Sequence, residues 1–189
     1  VEDYFNLVSD LILACPREFL RSSLLPAVFN AMLASFSLKE QYALASVFRY
    51  CRIVLDHAND IQFPRSPPSP PCRISEAEAA IAKGVFVEHG AVFMTQILQG
   101  IMFTFPPDVV GDATGLLKAL TLFCPQESLV WYGKAVSTLE ISPAELQKAV
   151  ADYTAAVSEG NWSKVRSAIQ NFTTLYRRKY VIPRNRGKK

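Results

Sequence analysis

Groups that titrate, ligate or attack occur in this sequence, but rarely in company. Its two histidines, His57 and His89, are separated by a long helical stretch and a proline-rich one. His57 stands with Asp56 and Asp60 near a helix end, where a protonated imidazole complements the negative pole of the helix dipole, a structural role. The four cysteines, Cys15, Cys51, Cys72 and Cys124, form no CxxC pair. Three of them lie in apolar runs, as reduced thiols packing like small hydrophobes do. No His/Cys/Asp/Glu set has metal-ligand spacing, and neither a glycine-rich phosphate loop nor a GxSxG turn is present. The expectation is no catalytic residue, no metal and no cofactor. Unpaired cysteines point to a reducing compartment, cytosol or nucleus.

Positive charge is the other concentrated chemistry. The closing stretch TTLYRRKYVIPRNRGKK holds seven basic residues and no acidic one. From Gly160 onward there are nine Lys/Arg and no Asp/Glu, whereas the residues before it carry 11 Lys/Arg against 17 Asp/Glu. An acidic body repels phosphate, so the chain as a whole is not a nucleic-acid-binding domain. Arg177, Arg178 and Lys179 close the last amphipathic helix, where cations at the dipole's negative end contribute about 0.3–1 kcal/mol. The tail over 181–189 is basic and polar, with Tyr180 almost its only aromatic neighbour. It lacks a stacking platform and can add only weak, salt-sensitive contacts. No direct nucleic-acid partner is expected.

The elements that must carry these residues read as helices almost throughout. After SLKE, where Ser37 and Glu40 have capping-box spacing, Leu44, Val47, Phe48, Cys51, Val54 and Leu55 make one apolar stripe. Arg49 and Arg52 lie off that stripe. Ser75 and Glu78 cap a helix expected to close near Gly90, with a further helix over 91–105. Ser142, Pro143 and Glu145 open another, which Gly160 stops; Asn161 caps the last. Further helices are expected over 2–14, 23–35, 112–123 and 127–139, broken at Cys15-Pro16, Pro106-Pro107 and Cys124-Pro125. The stretch FPRSPPSPPCR, within a loop over 61–74, cannot be helical, and its Ser66-Pro67 and Ser69-Pro70 suit proline-directed phosphorylation. No apolar run approaches the ~20 residues that span a membrane. About nine or ten helices follow, in one segment over 1–180. Helix starts at Ser37, Ser75 and Asp112 recur near the period of stacked helix pairs. The chain begins at Val1, not Met, and reads as a piece of a longer protein.

Three stretches carry a resemblance: FLRSSLLPAVFNAMLASFSLKEQYALASVFRYCRIVLDH, VEHGAVFMTQILQGIMFTFPPDVVGDATGLLKALTLFCP and VRSAIQNFTTLYRRKYVIPR. Together they resemble the C-terminal portion of the transportin-SR branch of the importin-β (karyopherin) superfamily, the fungal type in particular. Leu24-Leu25-Pro26, the Phe103–Pro107 turn and the helix from Asn171 to Arg178 are its most specific parts.

The resemblance implies an all-α solenoid of HEAT-like antiparallel helix pairs. It implies a non-enzymatic receptor shuttling between cytoplasm and nucleus. Its partners would be SR-type RNA-binding proteins as cargo, Ran-GTP that releases them, and nucleoporins. Ran would dock on repeats before Val1, and the arginine-rich helix for phosphorylated cargo would also lie upstream. The candidate cargo-contacting residues are Arg49, Arg52, Asp56, Arg177 and Arg178, with Glu40, Asp60, Glu140 and Glu145 as further acidic contributors toward basic cargo. The rival readings are another helical-repeat scaffold or adaptor, a compact helical enzyme, and a helical RNA-binding protein acting through its basic tail.

Overall fold

The computed structural model of the chain describes residues 1–62 and 74–182. The proline loop with Ser66 and Ser69, and the tail beyond Ile182, fall outside the described residues. Within them the chain is all-α, with nine α-helices and no strand. They are α1 (Glu2–Ala14), α2 (Pro16–Arg21), α3 (Leu24–Ser35), α4 (Gln41–Gln62), α5 (Glu76–Gln99), α6 (Val110–Phe123), α7 (Pro125–Ser137), α8 (Pro143–Ser158) and α9 (Trp162–Tyr176).

Local chemistry explains most boundaries. Cys15 and Cys124 each close one helix and sit directly before a proline that opens the next. Their backbones are nearly identical, at φ −132°, ψ 62° and φ −129°, ψ 66°. A residue before proline is pushed out of the helical region, and the proline's preset φ suits a first helical position, so one dipeptide both stops and restarts the helix. Ser75 with Glu78 and Ser142 with Glu145 form the expected capping boxes, and Asn161 Oδ1 accepts from the Lys164 amide. Gly160 adopts φ +62°. Its amide donates to Val157 O and that of Asn161 to Ala156 O, which completes a Schellman stop.

Two expectations fail locally. Ser37 and Glu40 do not form a capping box. Ser37 Oγ donates back to Ala34 O, while the Glu40 carboxylate itself accepts from the Tyr42 and Ala43 amides at 3.0 and 2.6 Å. Gly90 does not end a helix either, since α5 runs through it to Gln99 and then widens into a π-helical turn over Gly100–Thr104. Gly90 instead lets α5 approach α7, because a Cβ there would stand 2.4 Å from the Trp131 ring. The short α2 was unanticipated, because six residues are too few to show a period.

The helices pack in two rows. The first holds α1, α4, α6 and α9, each against the next; the second holds α2 with α3, then α5, α7 and α8. Hairpin partners α4–α5, α6–α7 and α8–α9 join the rows. The chain stays in the second row from α7 to α8 and returns to the first with α9. Among the described helices none packs substantially on one two places along its row. This arrangement is compatible with the stacked helix pairs of a helical-repeat fold.

Between the rows lies one continuous apolar core. Edge-to-face ring pairs stitch it together: Phe29 on Phe86 at 5.0 Å, Phe36 on Phe93 at 5.4 Å, Phe48 on Phe105 at 5.4 Å and Phe86 on Phe123 at 6.0 Å. Each buried ring contributes roughly 1.5–3 kcal/mol by leaving water, and such pairs add about 0.5–1.5 kcal/mol.

Candidate functional site

Arg49 and Arg52 leave α4 on its solvent side and reach in opposite directions along the first row. Arg49 bridges to α1, with Nη2 3.1 Å from Asp10 and Nη1 3.3 Å from Asn6. Arg52 holds Asp56, one turn on, through Nε at 2.8 and 2.9 Å, and extends Nη1 over α6 to Gly115 O at 3.4 Å. From the far side α9 contributes Arg166, whose Nη2 lies 3.4 Å from Gly111 O. Gly111 and Gly115 are one turn apart on α6, and their carbonyls accept from Arg166 and Arg52 respectively.

Arg49, Arg52 and Arg166 thus line one open cleft of about 350 Å³, floored by Gly111 and Gly115 and walled by Asp112. Each guanidinium carries five donors. The long contacts to the two carbonyls leave several of these pointing to solvent. Asp56 and Asp60 border a neighbouring recess with Lys118, so charge of both signs alternates along the α4–α6 seam. Exposed pairs of this kind are worth about 0–1 kcal/mol each. Their weight in stability is small, and their effect is to present oriented charge.

Arg177 and Arg178 part company. Arg177 is half-buried and donates from Nη1 to Ile101 O at 3.3 Å, within the π-helical turn that follows α5. Arg178 is exposed in a second π-helical turn over Arg177–Val181. Beside them Lys179 Nζ and Tyr180 Oη donate to the two oxygens of Glu145 at 2.6 and 2.7 Å. Glu145 is therefore shared between the cap of α8 and a tie to the end of α9. The Lys179 ammonium, with the Ser142 and Tyr180 hydroxyls, holds its carboxyl at about 2. The basic end of α9 is drawn largely into structure. Glu40, another acidic candidate, serves as the cap of α4.

Elsewhere the reactive residue types are mostly packed as structure, except that Cys15, expected to pack as a small hydrophobe, is exposed at the α1–α2 junction. Burial pushes the Cys124 thiol up to about 12 and raises that of Cys51 well above its ordinary value, so neither is an activated nucleophile. His89 stacks on Phe29 with ring centroids 5.4 Å apart. Among the described residues no group of three or more His, Cys, Asp or Glu stands where it could hold a metal ion, and no helix is long and apolar enough to cross a membrane.

The structure brings together Arg49, Arg52 and Asp56 and places Arg177 and Arg178 apart from them. Arg166 was missed as a member of the cleft. Its signal was present, since it sits off the Trp162, Val165, Ile169 stripe of α9 as Arg52 sits off that of α4.

No protein-family model matches the chain. The chain is similar to Uncharacterized protein C11G11.07 of Schizosaccharomyces pombe, with 25% identity over 195 aligned positions covering 97% of this chain. It spans only 20% of that relative's length.

Proposed function

We propose that this chain is a run of HEAT repeats from a nuclear transport receptor of the importin-β superfamily, transportin-SR-like, and that it works as a binding scaffold rather than an enzyme. The observation that carries the reading is the two-row packing whose first row presents an open seam where Arg52 and Arg166 reach over α6 and Arg49 lines the same cleft. A stack of this kind binds by area and charge along a face and needs no enclosed reaction chamber. The resemblance of the sequence to that branch supplies the cargo class, SR-type RNA-binding proteins. The relative supports a setting in a much longer polypeptide, since this chain corresponds to a fifth of it.

In this reading Arg49, Arg52 and Arg166 offer guanidinium forks to anionic groups of cargo, which planar bidentate donors suit well. Asp56 orients Arg52 and meets neighbouring basic side chains. Ran-GTP and nucleoporins engage the full-length receptor, which shuttles between cytoplasm and nucleus.

The test is capture of SR-type cargo on the full-length receptor, with and without Ran locked to GTP. Cargo held in its absence and released in its presence is the expected result. Replacing Arg49, Arg52 and Arg166 together with glutamate should weaken capture at least tenfold. Cargo retained equally with and without Ran-GTP would count against the receptor role.

A further inference from the structure

Ser142 is followed by Pro143, and among the described residues it is the one serine or threonine with a proline next in the chain. It ends the short connection from α7 to α8, and Ser142, Pro143 and Ala144 are all exposed. A residue before proline is pushed toward extended backbone, and Ser142 adopts it at φ −68°, ψ 151°. An exposed, extended Ser-Pro step is the form in which proline-directed protein kinases take a substrate.

The hydroxyl belongs to a network built around one anion. Ser142 Oγ donates to Glu145 Oε2 at 2.7 Å, and the Tyr180 hydroxyl donates to that same oxygen at 2.7 Å. Lys179 Nζ donates to Oε1 at 2.6 Å. A single carboxylate therefore holds both the cap of α8 and the π-helical turn over Arg177–Val181. That turn lies in the stretch after Gly160, which holds nine Lys/Arg and no Asp/Glu, so its own sequence supplies no competing carboxylate.

A phosphate on Ser142 would change every term of this network. It removes the O–H that donates to Glu145 and adds about −1.5 to −2 of charge with three acceptor oxygens. Set beside Oε2, that charge repels the Glu145 carboxylate. The phosphate itself is favoured at the start of α8, where the helix dipole is positive. The Lys179 ammonium and the Tyr180 hydroxyl, which now converge on Glu145, then have a stronger acceptor in its place, since charge-assisted hydrogen bonds are roughly twice as strong as neutral ones.

We propose that Ser142 is a phosphorylation site for a proline-directed protein kinase, and that its phosphate takes over from Glu145 as the anion tying the Arg177–Val181 turn to α8. In the transfer, the bond from the γ-phosphorus of ATP to the bridging oxygen breaks and ADP leaves. The bond from that phosphorus to Ser142 Oγ forms, and the hydroxyl proton passes to a base of the kinase. The inference goes beyond the transport reading and does not depend on it, and its test involves neither cargo nor Ran.

The native full-length polypeptide is incubated with a mitogen-activated protein kinase, ATP and magnesium, and sites are read by mass spectrometry of the tryptic peptide 135–148. The expected result is phosphate on Ser142, with incorporation at least tenfold lower in a Pro143→Ala variant. Hydrogen exchange over Arg177–Val181 then reads the tie. In a Glu145→Gln variant, where the carboxylate is gone, phosphorylation of Ser142 should slow exchange there at least fivefold. Absence of phosphate from Ser142 in the native polypeptide overturns the site, as does equal incorporation in Pro143→Ala. Exchange over Arg177–Val181 that is unchanged or faster once Glu145→Gln is phosphorylated overturns the takeover of the tie.

Discussion

Two glycines on one helix should respond to the same substitution with opposite signs. Gly90→Ala in α5 places a methyl 2.4 Å from Cη2 of Trp131 and within 2.6 Å of two more atoms of its ring. That indole is only 7% exposed and cannot swing into water. Overpacking a filled site costs about 1–3 kcal/mol, while exchanging glycine for alanine inside a helix returns about 1 kcal/mol. The net expectation is a loss of up to about 2 kcal/mol, or a Tm lowered by up to about 8 °C at this chain length. Gly84→Ala keeps the helix term without the collision, since no atom lies within 4 Å of its added Cβ. It should gain about 0.5–1 kcal/mol and raise Tm by about 1–4 °C. Thermal melts followed by circular dichroism read both, and a double-mutant cycle isolates the cause. Trp131→Phe removes the colliding ring, so in that background Gly90→Ala should become neutral or favourable, a coupling of about 0.5–3 kcal/mol. If Gly90→Ala remains as costly beside phenylalanine, or if both glycines shift Tm the same way, the close-approach account of Gly90 is wrong.

The stacked tyrosines Tyr132 and Tyr153, with ring centroids 4.0 Å apart, differ in their hydroxyls: Tyr153 Oη shares a 2.6 Å hydrogen bond with Thr121, while Tyr132 Oη is buried without a protein partner. Tyr153→Phe should therefore cost about 0.5–1.5 kcal/mol in urea titration and Tyr132→Phe close to nothing or less, and the reverse order would contradict the assignment. Glu78, bonded to the Ser75 hydroxyl and amide and paired with Arg21, is held at about 2, as is Glu145, against an ordinary 4.5. Because both folded values are depressed, the stability they confer is fully present above about pH 4.5 and is lost as pH falls through about 2. Wild type should destabilise across that window more steeply than a Glu78→Gln, Glu145→Gln double variant, and parallel acid-unfolding curves would refute the sign.

Much of the scaffold was legible because its signals are local. The boxes at Ser75–Glu78 and Ser142–Glu145, the Gly160 stop and the two Cys-Pro junctions each act within a turn or so of chain, and each set a boundary where expected. Gly90 and Glu40 show where locality fails. A glycine inside an apolar run means a stop if the chain turns there and a close approach if another helix crosses there. Only the position of Trp131, dozens of residues away on α7, decides between them. At SLKE the spacing allowed a box, but the chain bends at Ser37 and spends that hydroxyl on Ala34 O, leaving Glu40 to cap alone. The cleft was half legible for a related reason. Periodicity marks Arg49, Arg52 and Arg166 as residues off their stripes, but which helix lies alongside belongs to the packing of the rows.

That distinction also bears on the basic end of the chain. Counting charges along the sequence makes residues after Gly160 the most conspicuous feature, yet charge there is not equivalent to free charge. Arg177 is committed to Ile101 O and Lys179 to Glu145, so two of the three cations that close α9 are tied to backbone or carboxylate within the fold. Arg49 and Arg52 stand in a mildly acidic region and attract no notice by count. They nevertheless line one open cleft with Arg166. In a stacked fold the binding potential of a cation depends on what its row neighbours leave unsatisfied, and on that measure the α4–α6–α9 seam outranks the end of α9.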